Sequence, residues 1–138
     1  MATIYFDGGG QRPGPVRAAA IVELSDGSLV QAVRRFDTGT HNFAEWNALI
    51  LGLRLALDHG ERHAVVKGDS RLVVDQVNGD AKAKHPTMLR LREEAEELLA
   101  QFDDRPPVDW IPREENGRAD ELGRGVMSFG PVVSIGGD

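Results

Sequence analysis

Four carboxylates fall at points of the chain where strands end or helices begin. Asp7 closes the apolar run ATIYF and precedes three glycines, and Asp69 follows the apolar run at 64–66. Glu45 lies in the first turn of one helical pattern and Asp120 within a later one. Carboxylate oxygens together with substrate phosphate are the ligands that Mg²⁺ takes in proteins, and strand ends are where α/β folds gather their sites. The four residues together therefore predict a divalent-metal site.

Each of these carboxylates also has a purely structural explanation. Asn42 and Glu45 have the spacing of a capping box, and Asp69 is a helix N-cap candidate. Asp7 is able to accept turn amides, and Asp120 is able to face water. The metal interpretation is favoured by Asp7, because its strand neighbours are apolar and a carboxylate buried without a cation or donors costs several kcal/mol.

Hydrophobic periodicity predicts the elements that position these residues, in the order βββαβααβα. The predicted strands cover residues 2–7, 16–24, 29–36, 64–66 and 108–111, and the predicted helices cover 43–57, 71–77, 88–102 and 116–127. Three consecutive strands with short turns imply an antiparallel meander, and the alternation that follows implies one mixed α/β sheet flanked by helices.

Composition limits the class of protein. The 138 residues fit one domain, and the net charge of −6 argues against a nucleic-acid binder, since such domains are usually basic. The absence of Cys excludes disulfides and thiolate zinc sites, and the four histidines lack ligand spacing and are expected to be solvated. Trp46 and Trp110 are expected in the core. No apolar run approaches 18 residues, so we expect no membrane span. We also expect a cytoplasmic protein, since the lack of Cys fits a reducing compartment, and a monomer.

Four segments carry a family resemblance. In chain order, YFDGGG, NFAEWNALILGL, VKGDSRLVVDQVNG and IPREENGRADEL resemble the ribonuclease H type 1 family. The resemblance covers residues 2–127 and is greatest to compact members without a basic protrusion. It implies a ribonuclease H-like catalytic domain at 1–127, with a C-terminal tail at 128–138. It also implies a mixed five-stranded sheet, with three antiparallel strands followed by two parallel strands.

The resemblance implies an activity as well. The family hydrolyses the RNA strand of RNA–DNA hybrids and leaves 5′-phosphate and 3′-hydroxyl ends. Two Mg²⁺ or Mn²⁺ ions flank the scissile phosphate, one activating a water and the other stabilising the leaving 3′ oxygen. The family's metal ligands match Asp7, Glu45, Asp69 and Asp120. Two alternatives stay open: a nuclease that also cuts double-stranded RNA, and a non-catalytic hybrid-binding module.

Further residues match substrate positions of the family. Gly10, Arg12 and Asn42 match contacts to RNA 2′-hydroxyl groups, Ser70 and Arg71 follow a metal ligand and are expected near the same strand, and Thr40 matches a contact to a DNA phosphate. Arg113 occupies a loop where many members carry a His. An arginine stays protonated and cannot act as a general base, so its expected role is to hold a phosphate or to aid product departure.

A basic stretch at 81–92 occupies the place of the family's protrusion. It includes Lys82 and Lys84, which we expect to contact the DNA backbone, so that neutralising both would reduce the salt dependence of binding. The apolar middle of the tail has no helical signal. If the tail packs on the domain, truncation after Met127 is expected to lower the melting temperature by several degrees.

Overall fold

The fold is built on one twisted mixed sheet. The computed structural model describes residues 1–10, 14–124 and 132–135, with side chains up to residue 120. Within these residues the strands are β1 (Ala2–Gly10), β2 (Val16–Glu23), β3 (Leu29–Phe36), β4 (Ala64–Gly68), β5 (Val108–Trp110) and β6 (Val132–Ile135). The helices are α1 (His41–Asp58), α2 (Arg71–Val77), α3 (Pro86–Leu99) and α4 (Gly117–Arg124), with a 3₁₀ turn at Arg113–Asn116.

The sheet has the order β5-β4-β1-β2-β3-β6 in the described chain. Strands β1, β2 and β3 are antiparallel neighbours, β4 is parallel to β1, and β5 is parallel to β4. The predicted mixed five-stranded sheet is therefore confirmed. Strand β6 lies parallel to β3 as a sixth strand, which the sequence patterns did not predict. The division into a domain at 1–127 and a tail at 128–138 stays a prediction.

The two faces of the sheet are covered by different helices. Alternate residues of β1, represented by Ile4 and Phe6, belong to the main core that α1 and α3 complete. Trp46 lies fully inside this core, as expected, and its indole N–H donates to Gln76 Oε1 at 3.0 Å. Helix α4 packs against β1 and β2. It lies on the opposite face, where Ala19 and Ile21 form part of a smaller cluster.

The four helices start within two residues of the predicted positions, and α2 starts where it was predicted. Thr40 caps α1, with its hydroxyl accepting the Phe43 N–H at 3.0 Å, and Ser70 caps α2 in the same way through Val73 N–H at 3.3 Å. His85 caps α3 through Nδ1, which accepts from Thr87 N–H at 3.1 Å. In the described part of the chain, no helix has both the length and the apolarity needed to cross a bilayer.

Candidate active site

Three of the four predicted carboxylates converge at one end of the sheet. Asp7 lies near the end of β1, and Asp69 follows β4 directly. Since β1 and β4 are parallel neighbours, their carboxyl ends meet. Glu45 reaches the same point from the first turns of α1. One carboxylate oxygen from each of these three residues lies within 4.8 Å of the others, which makes the group a possible metal site.

The glycine after Asp7 allows α1 to come this close. A Cβ on Gly8 would lie 2.3 Å from the Ala44 carbonyl carbon and 2.4 Å from the Glu45 nitrogen, and both contacts are with backbone. The Gly8 N–H donates to Glu45 Oε1 at 2.7 Å. The capping-box explanation of Glu45 is therefore wrong: Thr40 caps the helix, and Glu45 binds the end of β1 instead. The N-cap explanation of Asp69 is wrong too, because Ser70 caps α2.

The fourth carboxylate is brought in from the other face of the sheet. Asp120 lies in α4, and its side chain hydrogen-bonds to the Asp7 carboxyl group. Asn116, at the end of the preceding 3₁₀ turn, is buried and donates from Nδ2 to the Phe6 carbonyl at 2.8 Å. It also hydrogen-bonds to Asp69. All four predicted ligands are thus adjacent, and Asn116 ties the 3₁₀ turn to β1.

Asn116 was not among the predicted site residues. The signal was present in the sequence, because an asparagine four residues before Asp120 belongs to the segment that carries the resemblance. Its position alone did not show that the side chain points inward. Among the described residues, no donor reaches its buried Oδ1 atom.

The proximity of the carboxylates changes their acidity. Burial raises the pKa of Asp7 to about 8, and the charges of Asp69 and Asp120 contribute to the rise. Burial also raises the pKa of Glu45 to about 9, with contributions from Asp7 and Asp69. The pKa of Asp69 is raised by burial, against the lowering effect of Arg113 and of its hydrogen bonds to Asn116 and Asp7. In the absence of cations, Asp7 and Glu45 therefore hold protons near neutral pH.

The donor set fits a hard divalent cation. The candidate ligands are oxygen atoms of closely spaced carboxylates. Burial and the neighbouring carboxylates raise the pKa of Asp7 and Glu45, so their charged forms need a cation to be stabilised there. Such oxygens suit Mg²⁺ or Mn²⁺ rather than zinc, which commonly takes His and Cys ligands. Asp7, Glu45, Asp69 and Asp120 would hold the metal.

Arg113 lies beside this cluster, as its place in the sequence predicted. Its guanidinium group lowers the pKa of Asp7, Glu45 and Asp69, which shows that it faces all three. The residue begins the 3₁₀ turn and is exposed. A permanent cation here is open to solvent beside the carboxylates, and it cannot accept a proton.

The N-terminus of α1 adjoins the end of β1. His41 is exposed, as expected, and its Nε2 contacts the Gly10 carbonyl at 3.0 Å, so this histidine also joins the two segments. Gly10 has little space for a side chain, since a Cβ would lie 2.3 Å from the Pro15 carbonyl oxygen. The Oδ1 atom of Asn42 is buried, and no donor among the described residues hydrogen-bonds to it. Arg12 lies outside the described residues.

The residues after Asp69 form a second small surface. Arg71 stacks on Trp110, with Cζ 4.1 Å from the ring centroid, and the Trp110 indole N–H donates to the Asp69 carbonyl at 3.2 Å. The expectation that Trp110 is a core residue is wrong: it is 40% exposed. The reason is that β5 is the edge strand of the sheet and ends at this residue. Ser70 uses its hydroxyl for the helix cap.

Lys82 and Lys84 lie apart from the carboxylates, in the segment between α2 and α3. Both are exposed and flank the buried Ala83. The Lys82 carbonyl accepts from Gln76 Nε2 at 3.4 Å, so the segment is fixed to α2 while its lysines face outward.

Comparison with known proteins agrees with this arrangement. A family model described as reverse transcriptase-like matches residues 6–125. "Bifunctional protein Rv2228c" of Mycobacterium tuberculosis is 41% identical over 127 residues, which is 90% of this chain and 35% of that protein. "Ribonuclease HI" of Halobacterium salinarum is 38% identical over 120 residues, which is 86% of this chain and 60% of that protein. The chain thus spans between one third and three fifths of these relatives.

Solved structures show the same fold. RNase H1 from Halobacterium salinarum superimposes with a TM-score of 0.84 at 35% identity, covering 91% of this chain and 96% of that one. The N-terminal RNase H domain of Rv2228c gives 0.83 at 37% identity, covering 91% and 92%. LC11-RNase H1, solved in complex with RNA/DNA hybrid, gives 0.82 at 29% identity, covering 91% and 95%. The chain therefore belongs to the ribonuclease H branch of the reverse transcriptase-like family.

Proposed function

We propose that this protein is an endoribonuclease that hydrolyses the RNA strand of RNA–DNA hybrids and leaves 5′-phosphate and 3′-hydroxyl ends. The observation that carries the proposal is the convergence of Asp7, Glu45 and Asp69 within 4.8 Å, with Asp120 hydrogen-bonded to Asp7. The ribonuclease H relatives, one of them solved with a hybrid, support the same substrate class.

The four carboxylates would hold two Mg²⁺ ions, with Mn²⁺ as a substitute. When bound, such a pair of ions supplies an activated water and stabilises the leaving 3′ oxygen of an in-line displacement. The protein's own contribution is to fix the carboxylates: Gly8 N–H holds Glu45, and Asn116 holds Asp69. Arg113 is proposed to bind a phosphate oxygen and to assist departure of the product, because it cannot take a proton from water.

Recognition of RNA is proposed to involve the 2′-hydroxyl group, which distinguishes RNA from DNA. Asn42 matches the family's contact to this group, and it lies in the first turn of α1, three residues before Glu45. The Gly10 backbone lies near Asn42, because the Gly10 carbonyl contacts His41, the residue before Asn42. The other proposed contacts are Arg12, Ser70 and Arg71 to the RNA strand, Thr40 to a DNA phosphate, and Lys82 and Lys84 to the DNA backbone.

The test is a cleavage assay with Mg²⁺ on hybrid, duplex RNA and duplex DNA of one sequence. We expect cleavage of the hybrid's RNA strand. Asp7→Asn and Asp69→Asn should each reduce it by more than the roughly 10–100-fold that loss of an outer metal partner costs. Asp104→Asn removes a carboxylate whose side chain is 93% exposed and serves as the matched control, with activity unchanged. Circular dichroism verifies that every variant is folded.

Other outcomes separate the alternatives. Cleavage of duplex RNA as well would widen the substrate class, whereas hybrid binding without cleavage would indicate a binding module. Retained activity in both Asp→Asn variants would overturn the proposal. We also propose that the protein is a cytoplasmic monomer. Sedimentation of the purified protein tests its oligomeric state.

A further inference from the structure

Two arginines stand directly opposite each other on neighbouring strands. Arg17 of β2 is paired in register with Arg35 of β3, and the two strands are antiparallel. Like charges opposite each other in an antiparallel pair destabilise a sheet. The chain as a whole carries a net charge of −6, so this local concentration of positive charge is not a consequence of composition. An anion bound at the two guanidinium groups would interact favourably with both.

The pair lies on the same face of the sheet as the Asp7 side chain. Arg17 is opposite Gly9, two residues beyond Asp7 on β1, and side chains two apart on a strand share a face. Its guanidinium group lies over Gly9, with Nη2 3.7 Å from the position of a Cβ there. The Cα atoms of Asp7 and Arg17 are about 8 Å apart, because the residues are offset by two positions along the strand and lie on neighbouring strands.

The space at the pair is open and of suitable size. Arg17 and Arg35, together with Pro15 and Val16, line a cavity of about 230 Å³. At about 30 Å³ per water molecule, it has room for one phosphate group and hydrating water. Arg35 is exposed and Arg17 is half-buried, so an anion can enter from solvent. A guanidinium group binds phosphate through two parallel N–H donors, which a lysine cannot reproduce.

We propose that Arg17 and Arg35 form an anion subsite for a backbone phosphate of the cleaved strand, next to the scissile phosphate. The subsite rests on the proposed function, because the scissile phosphate is placed at the carboxylates. It extends the binding surface to β2 and β3, on the other side of Asp7 from Asp69 in the sheet order. It also gives an acidic protein local positive charge where a polyanion must lie.

The first test measures hybrid binding in the presence of Mg²⁺ by the Asp69→Asn variant, which is expected not to cleave the hybrid. Arg17→Gln with Arg35→Gln should raise the dissociation constant about tenfold and reduce the slope of log K against log salt by roughly 0.7–0.9, the value for one phosphate contact. Arg62→Gln is the matched control. Arg62 precedes β4 at the opposite end of the sheet and pairs with Asp103 at 3.2 Å, so its loss should change neither quantity.

The second test locates the phosphate. A series of hybrids carries one uncharged methylphosphonate linkage, at successive positions near the scissile bond. At one position on the cleaved strand, neutralisation should weaken binding to the Asp69→Asn protein and have no further effect once both arginines are replaced. Titration with inorganic phosphate, which should not displace the hybrid at millimolar concentration, separates a backbone contact from a site for free phosphate.

The outcomes distinguish the subsite from the proposed function. If the wild-type protein cleaves hybrid while the double variant keeps its affinity and salt slope, the subsite is wrong and the function stands. The subsite is also wrong if no methylphosphonate position couples to the two arginines. If the wild-type protein neither cleaves nor binds hybrid, both proposals fail. Melting temperatures of the arginine variants verify that they are folded.

Discussion

A buried acidic residue lies at each end of the β1–β4 strand pair, but the surroundings of the two residues differ. At the amino end, Glu61 accepts the Ser25 N–H at 3.1 Å and the Ser25 hydroxyl at 3.0 Å, which ties the β2–β3 hairpin to the chain before β4. At the carboxyl end, Asp7 faces three other carboxylates, and its pKa is raised to about 8. Glu61 has donors suited to its charge, whereas the surroundings of Asp7 favour a cation. The first acid stabilises the fold, and the second is held in place by it.

The glycines at these two ends differ in the same way. Gly27, in the β2–β3 hairpin, has a φ of +89°, and a Cβ at this residue would meet nothing within 4 Å, so the glycine serves only the turn. Gly8 instead leaves room for the backbone of α1. Gly27 allows a local backbone conformation, whereas Gly8 allows a contact between distant parts of the chain.

The largest effect that this comparison of the two ends predicts comes from filling the contact between Gly8 and α1. Gly8→Ala should push α1 away from β1 and carry Glu45 with it, and a displacement of about 1 Å is enough to reduce activity roughly 100-fold. Stability should fall by about 1–3 kcal/mol, as overpacking usually does. Gly27→Ala should cost about 1 kcal/mol through its positive φ and leave activity unchanged. Hybrid cleavage measures the activity of both variants, and urea unfolding measures their stability. Equal losses of activity in Gly8→Ala and Gly27→Ala would contradict the comparison.

The next effect concerns metal affinity and pH. Asp7 and Glu45 have pKa values raised to about 8 and about 9, so a cation must displace their protons at neutral pH. Apparent affinity for Mg²⁺ or Mn²⁺ should therefore rise between pH 6 and pH 9, by up to about tenfold per pH unit for each proton displaced. Calorimetry in buffers of different ionisation enthalpy measures the affinity and the released protons. A flat profile with no proton release would contradict the prediction.

The smallest effect is on the stability of the metal-free protein, and it has opposite signs at the two ends. The folded pKa of Asp7 lies above its unfolded value of 3.8, so its ionisation destabilises the fold increasingly as pH rises towards 8. Asp7→Asn should raise the melting temperature at pH 8.5 by a few degrees and have little effect at pH 4, close to the unfolded pKa. Glu61→Gln should lower it by about 2–4 °C, through loss of roughly 1 kcal/mol from its charged hydrogen bonds.

Thermal unfolding in EDTA at the two pH values measures both substitutions. The wild-type protein at each pH is the reference, and Asp104→Asn controls for the loss of one surface charge. A lower melting temperature for Asp7→Asn at pH 8.5 would show that Asp7 is stabilised by its surroundings, and the contrast with Glu61 would then be lost.

Much of the fold was predictable because its signals are local. Alternation of apolar residues and the turns between them predicted five strands, and the helical spacing after residue 39 predicted α1 within two residues of each end. Strand β6 was not predicted. Its four residues lie between Gly-Pro and Gly-Gly pairs in the sequence, but they are too few to show a strand pattern. They pair with β3, which lies about 100 residues earlier in the chain.

The candidate site was predictable as a set of residues rather than as contacts. The four carboxylates and Arg113 were expected together, and the structure brings them together. Local explanations for Glu45 and Asp69 failed because Thr40, before Glu45 in the chain, and Ser70, directly after Asp69, already satisfy the helix amides. Trp110 was misplaced because an apolar side chain on an edge strand is not buried from both sides.

The sequence by itself determined the order of the first five strands and the four helices, the choice of the four carboxylates as candidate metal ligands, and the family resemblance, because each of these depends on residue type and spacing along the chain. Only the tertiary structure decided that Gly8 and Glu45 meet, that Asn116 turns inward to β1, and that Arg17 and Arg35 face each other beside Asp7. Those contacts join residues far apart in the chain, and their distances and pKa values arise only when the sheet and its helices pack.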